Sequence, residues 1–554
     1  MRAIPTSHPR PSALSPQPSA LLYDVPVSDV EHLRSQLRER GYLTHGIERW
    51  FALDPWSSRT FWMELAIVAL KAAVLIAVFG ALPFAAVMVF RNYPLHAFET
   101  LGLFLTYAAA WLIGSYALIV VIALILKLRP ALPIDGPRAL LAISFVAATI
   151  VVAPFMIWWY TFDTAPALTE LIVGVVLAVI FFLVATIIVS AALLSFSIYE
   201  LQRVPAIHQK RRGMPMAVAA AALIALLFVP AYAGRERTML EPMVVTEPTT
   251  ARLALIAVDG LTSEILQSRP RLLPHSSAIS PIPAASTTER WASLGTGVRT
   301  EQHGVRAIEG VRFRGGRHVL QRISSADFVL MNAAPLLGVA RREPLPPTVR
   351  RRDYIWELFA ERGVTSVAVN WWATATSTED AGLHVIGPET IFADAKGDPL
   401  RVDALATGRF LEELDRHKPR FATVYLPALD VILNRMHQDQ STQLATSLRA
   451  LEGLANAVAL VRARGYEVVV VGMPGEAQRG SAVVASSIPF RATNAWDVAP
   501  ALLTILGFPA SAEMPGGSTQ QHRIASYGPR STSAAPQQLN EEYYENLKSL
   551  GYIQ

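Results

Sequence analysis

The first half of the chain is a succession of long apolar runs, and the second half alternates short β-branched runs with amphipathic stretches. Five apolar runs lie near 66–90, 101–126, 139–161, 171–197 and 214–233. Each is long enough to cross about 30 Å of hydrocarbon as a helix of roughly 20 residues. Trp50, Phe51, Trp56, Phe61 and Trp62 crowd the approach to the first run, as expected of an aromatic belt. Residues 1–26, rich in Pro and Ser, predict disorder. Ser28 with Glu31 fits a capping box, and Val30, Leu33 and Leu37 share a face, so a short helix is expected before Gly41. Residues 1–20 hold no apolar core, so no cleavable signal peptide is read there, and export is expected to use the first span.

The loops set the expected orientation. The tail carries Arg34, Arg38, Arg40, Arg49 and Arg59. The loops after the second and fourth runs carry Lys127, Arg129 and Arg138, and Arg203, Lys210, Arg211 and Arg212. The loop after the first run has Arg91, and the loop after the third has no basic residue. By the positive-inside rule the tail is cytoplasmic, and with five spans everything after 234 lies outside. Arg235 and Arg237 run against that trend, but the contrast between loops outweighs them. The expected division is a tail over 1–60, a transmembrane region over 61–234, a linker over 235–250 and an ectodomain over 251–554.

From 251 the periodicity predicts strands at 252–258, 365–370, 421–426 and 467–471, and helices at 355–361, 401–416, 441–464 and 495–506. Apolar strands alternating with helices indicate an α/β ectodomain with a mostly parallel sheet covered on both faces. Composition agrees with a membrane protein. Charged residues make up 17% of the chain against about 25% in soluble proteins. Cysteine is absent, which excludes disulfides, thiolate metal sites and cysteine nucleophiles. The net charge of +5 includes ten arginines between 306 and 352. They read either as a surface for anionic lipids or envelope polymers, or as a solvated loop. Export argues against nucleic acid as a partner. The style of the chain suggests a bacterial inner membrane protein with a periplasmic domain.

Candidate chemistry sits at strand ends, where open α/β sheets bind ligands. Asp259 closes the first strand before Gly260, placed either to ligate a metal or to form an Asx turn. The run Ala285-Ser286-Thr287-Thr288-Glu289-Arg290-Trp291 opens a helix. A hydroxyl there reads as a nucleophile facing free N–H groups or as an N-cap threonine. Further motifs follow in order: Tyr354–Leu358, Val367–Thr374 with Trp371-Trp372, Trp496–Leu503, and Leu547–Ile553.

Taken together, residues 251–554 resemble the alkaline phosphatase superfamily, particularly its type I phosphodiesterase/nucleotide pyrophosphatase branch. The resemblance implies an alkaline-phosphatase-like sheet flanked by helices. It also implies two divalent metals, usually zinc, that bind an oxyanion and activate a Thr or Ser nucleophile. Carried over residue by residue, it assigns Thr287 as nucleophile and Asp259 and Asp430 as metal ligands. The other ligand positions are replaced. Met473 and Pro474 stand for an Asp-His pair, and Asn434 stands for a His four residues after Asp430. Glu476–Gly480 lacks the distant His, and His437 is out of register. Two carboxylates and a hydroxyl fall short of the three protein ligands of a catalytic zinc site. The expected function is a pseudoenzyme serving as an envelope binding or scaffold module, without a cofactor. The alternative is a phosphodiesterase, phosphatase, sulfatase or phosphotransferase using Thr287 with zinc or weakly held Mg2+ or Ca2+. In that case Arg290 or Arg479 would supply positive charge to the oxyanion.

Overall fold

The computed structural model describes residues 61–92, 95–128, 137–162, 168–197, 225, 250–267, 272–284, 286–374, 376, 382–436, 438–475, 478–517, 523–530 and 541–553. Four of the apolar runs are helices: α1 (Phe61–Asn92), α2 (Ala97–Leu128), α3 (Pro137–Tyr160) and α4 (Leu168–Ser197). Each contains a stretch of at least 21 residues apolar enough to cross a membrane, and the chain is an integral membrane protein. The tail, its amphipathic helix and the run 214–233 lie outside the described residues apart from residue 225. The chain divides into two compact units. One takes the described parts of Met1–Phe79, Trp111–Val151 and Ile180–Ala220. The other takes those of Gly80–Ala110, Val152–Val179 and Ala221–Gln554, including the whole α/β region.

The α/β region is built on a seven-stranded sheet. Its strands are β1 (Leu253–Asp259), β2 (His275–Ile279), β6 (Ser366–Val369), β7 (Leu383–Ile386), β8 (Phe421–Leu426), β9 (Glu467–Met473) and β10 (Ala482–Ser486), in the order β2-β10-β9-β1-β8-β6-β7. The five strands from β9 to β7 are parallel. β10 joins β9, and β2 joins β10, by antiparallel pairing. Every residue of β1 is buried. Alternate strand residues point to opposite faces, so both faces of the sheet are covered there. Three more strands, β3 (Glu309–Phe313), β4 (Leu320–Gln321) and β5 (Ala340–Pro344), form a separate antiparallel sheet.

The helices used below are α5 (Thr287–Thr296), α6 (Ile355–Glu361), α7 (Pro399–His417), α8 (Gln440–Ala463) and α9 (Val498–Ile505). α8 is long and apolar enough to count as a candidate span, with mean hydropathy 1.3 against 2.4 or more for α1–α4. It is a domain helix: it is the crossover between β8 and β9, which flank β1 as parallel neighbours. Its buried Ser447, Leu454, Val458 and Val461 form one stripe.

Candidate functional site

The sheet order β8-β1-β9 puts three strand ends side by side, with Val258 level with Leu426 and Asp259 level with Met473. Asp259 ends β1. Gly260 turns the chain with φ 80° and donates its N–H to Met473 O at 2.8 Å. A Cβ at Gly260 would lie 2.6 Å from the backbone N of Asp430, so only glycine allows this approach. After β8 the chain makes the short helical turn Ala428–Asp430 and then a π turn, Val431–Arg435.

That π turn arranges the Asp430 side of the site. Asp430 is fully buried. Its Oδ1 accepts from Asn434 Nδ2 at 2.8 Å and its Oδ2 from Arg435 Nε at 2.7 Å. The same guanidinium donates from Nη2 to Thr287 Oγ1 at 3.1 Å and lies 4.3 Å from the ring centre of Tyr552. Arg435 thus bridges the carboxylate, the hydroxyl and an aromatic face. Gly475 closes over them, since a Cβ there would sit 1.9 Å from Asp430 Oδ1 and 2.3 Å from Asn434 Nδ2.

α5 supplies the other side. Its N-cap is Ser286, whose Oγ accepts from Glu289 N at 3.1 Å, so the N-cap reading of Thr287 gives way to Ser286. Thr287 is the first helical residue and 1% exposed. One turn on, Arg290 donates from Nη1 to Pro474 O, while its Nε has no hydrogen-bond partner. Asp259 Oδ2 accepts from Tyr425 Oη at 2.9 Å, and Oδ1 has no partner. Burial and then the charge of Asp430 raise the Asp259 carboxyl to about 7, against the opposing pull of Arg290, Tyr425 and Trp291. Behind the strand ends the rings of Trp291, Trp371, Trp372 and Tyr425 pack together. Tyr552 packs on Trp372, which brings the C-terminal motif to the site.

The structure brings together Asp259, Thr287, Asp430, Asn434, Met473, Pro474 and Arg290. Arg479 is exposed to solvent, and the guanidinium that engages Asp430 and Thr287 is Arg435. His437, Glu476 and Ala477 lie outside the described residues. His303, in the segment after α5, is neutral. Val305 N–H donates to its Nδ1 at 3.1 Å, so Nε2 carries the proton toward Ser293 Oγ at 2.9 Å. Burial and then Arg306, Arg350 and Arg351 push its pKa down to about 3.

The donors present do not fit the divalent metals that the resemblance implies. Both oxygens of Asp430 are engaged by N–H donors, one of them cationic. Met473 and Pro474 offer no side-chain ligand for a hard or borderline cation. Among the described residues, the group of three His or carboxylate side chains with converging ligand atoms is His384, Glu413 and His417, whose atoms lie within 4.8 Å of one another. His384 is level with Val367, Ala422 and Ala254 across the sheet, five residues before Asp259. It is therefore offset by roughly 16 Å along the strands, toward the opposite end of the sheet. A cavity of about 50 Å3 is lined by Thr288, Arg312, Trp372, Thr374, Glu389 and Tyr543 among others, and Thr287 does not line it. Pockets for drug-sized ligands hold roughly 300–1,000 Å3.

Residues 253–473 match the profile of the type I phosphodiesterase / nucleotide pyrophosphatase family. No curated protein matches the chain in sequence. Similar solved structures include a phosphonoacetate hydrolase from Sinorhizobium meliloti 1021, 10% identical, covering 42% of this chain and 60% of that one with a TM-score of 0.28. Murine ectonucleotide pyrophosphatase / phosphodiesterase 5 is 14% identical, over 40% of this chain and 56% of that one, with a TM-score of 0.26. The chain thus spans less than two thirds of the length of either. The integral membrane protein lipooligosaccharide phosphoethanolamine transferase A from Neisseria meningitidis is 10% identical, over 81% of this chain and 96% of that one, with a TM-score of 0.31.

Proposed function

We propose, from the match of residues 253–473 to the type I phosphodiesterase / nucleotide pyrophosphatase family, that this chain is a catalytically impaired pseudoenzyme serving as a binding or scaffold module of the cell envelope. The observation that carries the reading is Arg435. Its guanidinium ties the one remaining carboxylate after β8 to the hydroxyl at the nucleophile position. A hydroxyl that accepts a charged hydrogen bond and is 1% exposed offers little to an incoming phosphate or sulfate ester. Binding partners of this module are lipids, anionic envelope polymers or other membrane proteins. The contrast between basic and non-basic loops supports a cytoplasmic tail and an outward-facing α/β domain in a bacterial inner membrane.

The test uses the purified full chain in lipid nanodiscs with aryl phosphodiester, phosphomonoester and sulfate substrates. Wild type and Thr287→Ala are expected to be equally inert. Thr287-dependent turnover with any of the three would overturn the reading.

A second reading, a hydrolase or phosphotransferase with an altered site, draws on the same contact. A guanidinium donating to Thr287 Oγ1 stabilises negative charge there in the way an oxyanion-binding group does. It is distinguished by Arg435→Lys. Under this reading Arg435→Lys and Thr287→Ala both lower turnover, whereas under the pseudoenzyme reading there is no turnover to lower.

A further inference from the structure

Among the described residues after α4, six large apolar side chains are well exposed, and four of them fall within twelve residues: Phe328 (66%), Leu336 (86%), Leu337 (74%) and Val339 (48%). Single exposed leucines are ordinary, but a cluster this dense on a folded domain marks an interaction surface. The segment is rigid by construction. Leu330, Met331 and Ala334 are buried on its inner side, and the backbone runs through a π turn at Val329–Ala333 into the helical turn Ala334–Leu336.

The segment is also fastened to the ends of membrane helices in the same compact unit. Thr161, just beyond α3, is 2.8 Å from Ser324 Oγ through its hydroxyl and accepts from Ser325 N at 3.0 Å. Phe162 forms a β-bridge with Ser324. Tyr107 of α2 donates to the carboxylate of Asp327 at 2.9 and 3.0 Å. Glu99, near the start of α2, accepts from Arg317 N at 2.8 Å. These bonds fasten the segment to the first third of α2 and to the C-terminal end of α3. Arg314, Arg317 and Arg341 are exposed on neighbouring strands and turns, with Arg314 beside Gly338.

We propose that residues 328–339 dip into the interfacial layer of the leaflet on the domain side of the membrane. Phe328, Leu336, Leu337 and Val339 enter the acyl region, and Arg314, Arg317 and Arg341 meet headgroup phosphates. The occupant is the bilayer that the chain already spans. Bonds to α2 and α3 and an apolar tip flanked by cations give this segment the pattern of an interfacial anchor. This inference does not depend on whether the domain is catalytic.

The chain has no cysteine, so single-cysteine labelling needs no prior substitution. Leu336→Cys, Leu337→Cys and, as an independent repeat, Phe328→Cys are labelled with an environment-sensitive fluorophore in the full chain in nanodiscs. The control is Leu444→Cys on α8, which is 61% exposed. Lipid-attached spin labels are expected to quench the three test sites more strongly than position 444, at a depth of roughly 5–10 Å below the headgroup boundary. Aqueous iodide is expected to quench position 444 more strongly. Lipid quenching at the test sites no greater than at 444 overturns the proposal. So does protection from iodide that disappears when discs hold a single chain, because the cover is then a second copy.

Discussion

The two carboxylates at the heart of the domain sit on neighbouring strand ends and are equally buried, yet they are satisfied in opposite ways. Asp430 has a donor on each oxygen, and the guanidinium that serves it also reaches Thr287 and lies over Tyr552. Asp259 has Tyr425 on one oxygen and no hydrogen bond on the other, and the nearby Arg290 spends its Nη1 on a backbone carbonyl. One side of the site is closed by its own side chains. The other keeps unsatisfied polar atoms and a carboxyl raised to about 7. The two sides of the site therefore do not share one outcome. Where a cationic side chain is in reach, the carboxylate is paired with it. Where none bonds to it, the carboxyl shifts toward its neutral form.

The largest effect is expected on the closed side. Arg435→Ala leaves Asp430 buried without its cation, and breaking such a pair costs about 3–5 kcal/mol. Thermal unfolding of the full chain in detergent should show it. Replacing both partners with leucine should cost less than the sum of the single changes. A cost below about 1 kcal/mol for Arg435→Ala would mean the pair behaves like an exposed one.

The next effect belongs to the open side and to pH. Asp259 is raised in the fold, so between about pH 4 and 7 the folded chain holds a proton that the unfolded chain has released. Its contribution to stability is full below the unfolded value of 3.8 and is lost as pH rises through about 7. Asp259→Asn, which mimics the protonated state, should gain on the wild type across that window. The advantage should grow by about 1.4 kcal/mol for each tenfold fall in proton concentration inside the window. Buried neutral His303 pulls the other way over part of the range, but it is common to both proteins and cancels in the difference. A difference that stays flat from pH 4 to 8 would remove the distinction between the two sides.

A smaller effect is expected from Tyr425→Phe, which removes the remaining donor to Asp259 at a cost of about 1 kcal/mol. The cost should be greater at pH 8, where Asp259 is ionised, than at pH 5. Equal costs would show that the bond does not favour the charged form. The smallest effect is expected from chelation. Purified protein should hold no stoichiometric zinc, and its unfolding temperature should be the same with and without a chelator. A chelator-dependent shift would show that a cation bound in the fold outcompetes Arg435.

Much of this arrangement is legible in the sequence. The strand ends at Asp259 and Leu426, the helix opening at Thr287 and the helix Ile355–Glu361 follow from local periodicity, and they form as the pattern predicts. Arg435 does not follow from that pattern. It is five residues after Asp430, and in an α-helix the neighbours of a residue on the same face are three and four away. The π turn changes the register to five and lays Arg435 on the carboxylate. Nothing in the local composition announces that extra residue. The pairing of β2 with β10 and of β3 with β5 is hidden for a related reason: each joins segments far apart in sequence. The apolar tip at 328–339 contains leucines that look like core residues until the fold leaves them facing outward.

The guanidinium over Asp430 has one more consequence, and it concerns supply. A domain completed by a bound ion is only as intact as the free ion concentration around it, because stabilisation follows mass action between ion and site. A positive charge borne on a side chain has no dissociation constant with respect to the medium. It arrives with the chain at synthesis, in a fixed ratio of one to one. With Arg435 in that position, the counter-charge of Asp430 is part of the chain itself.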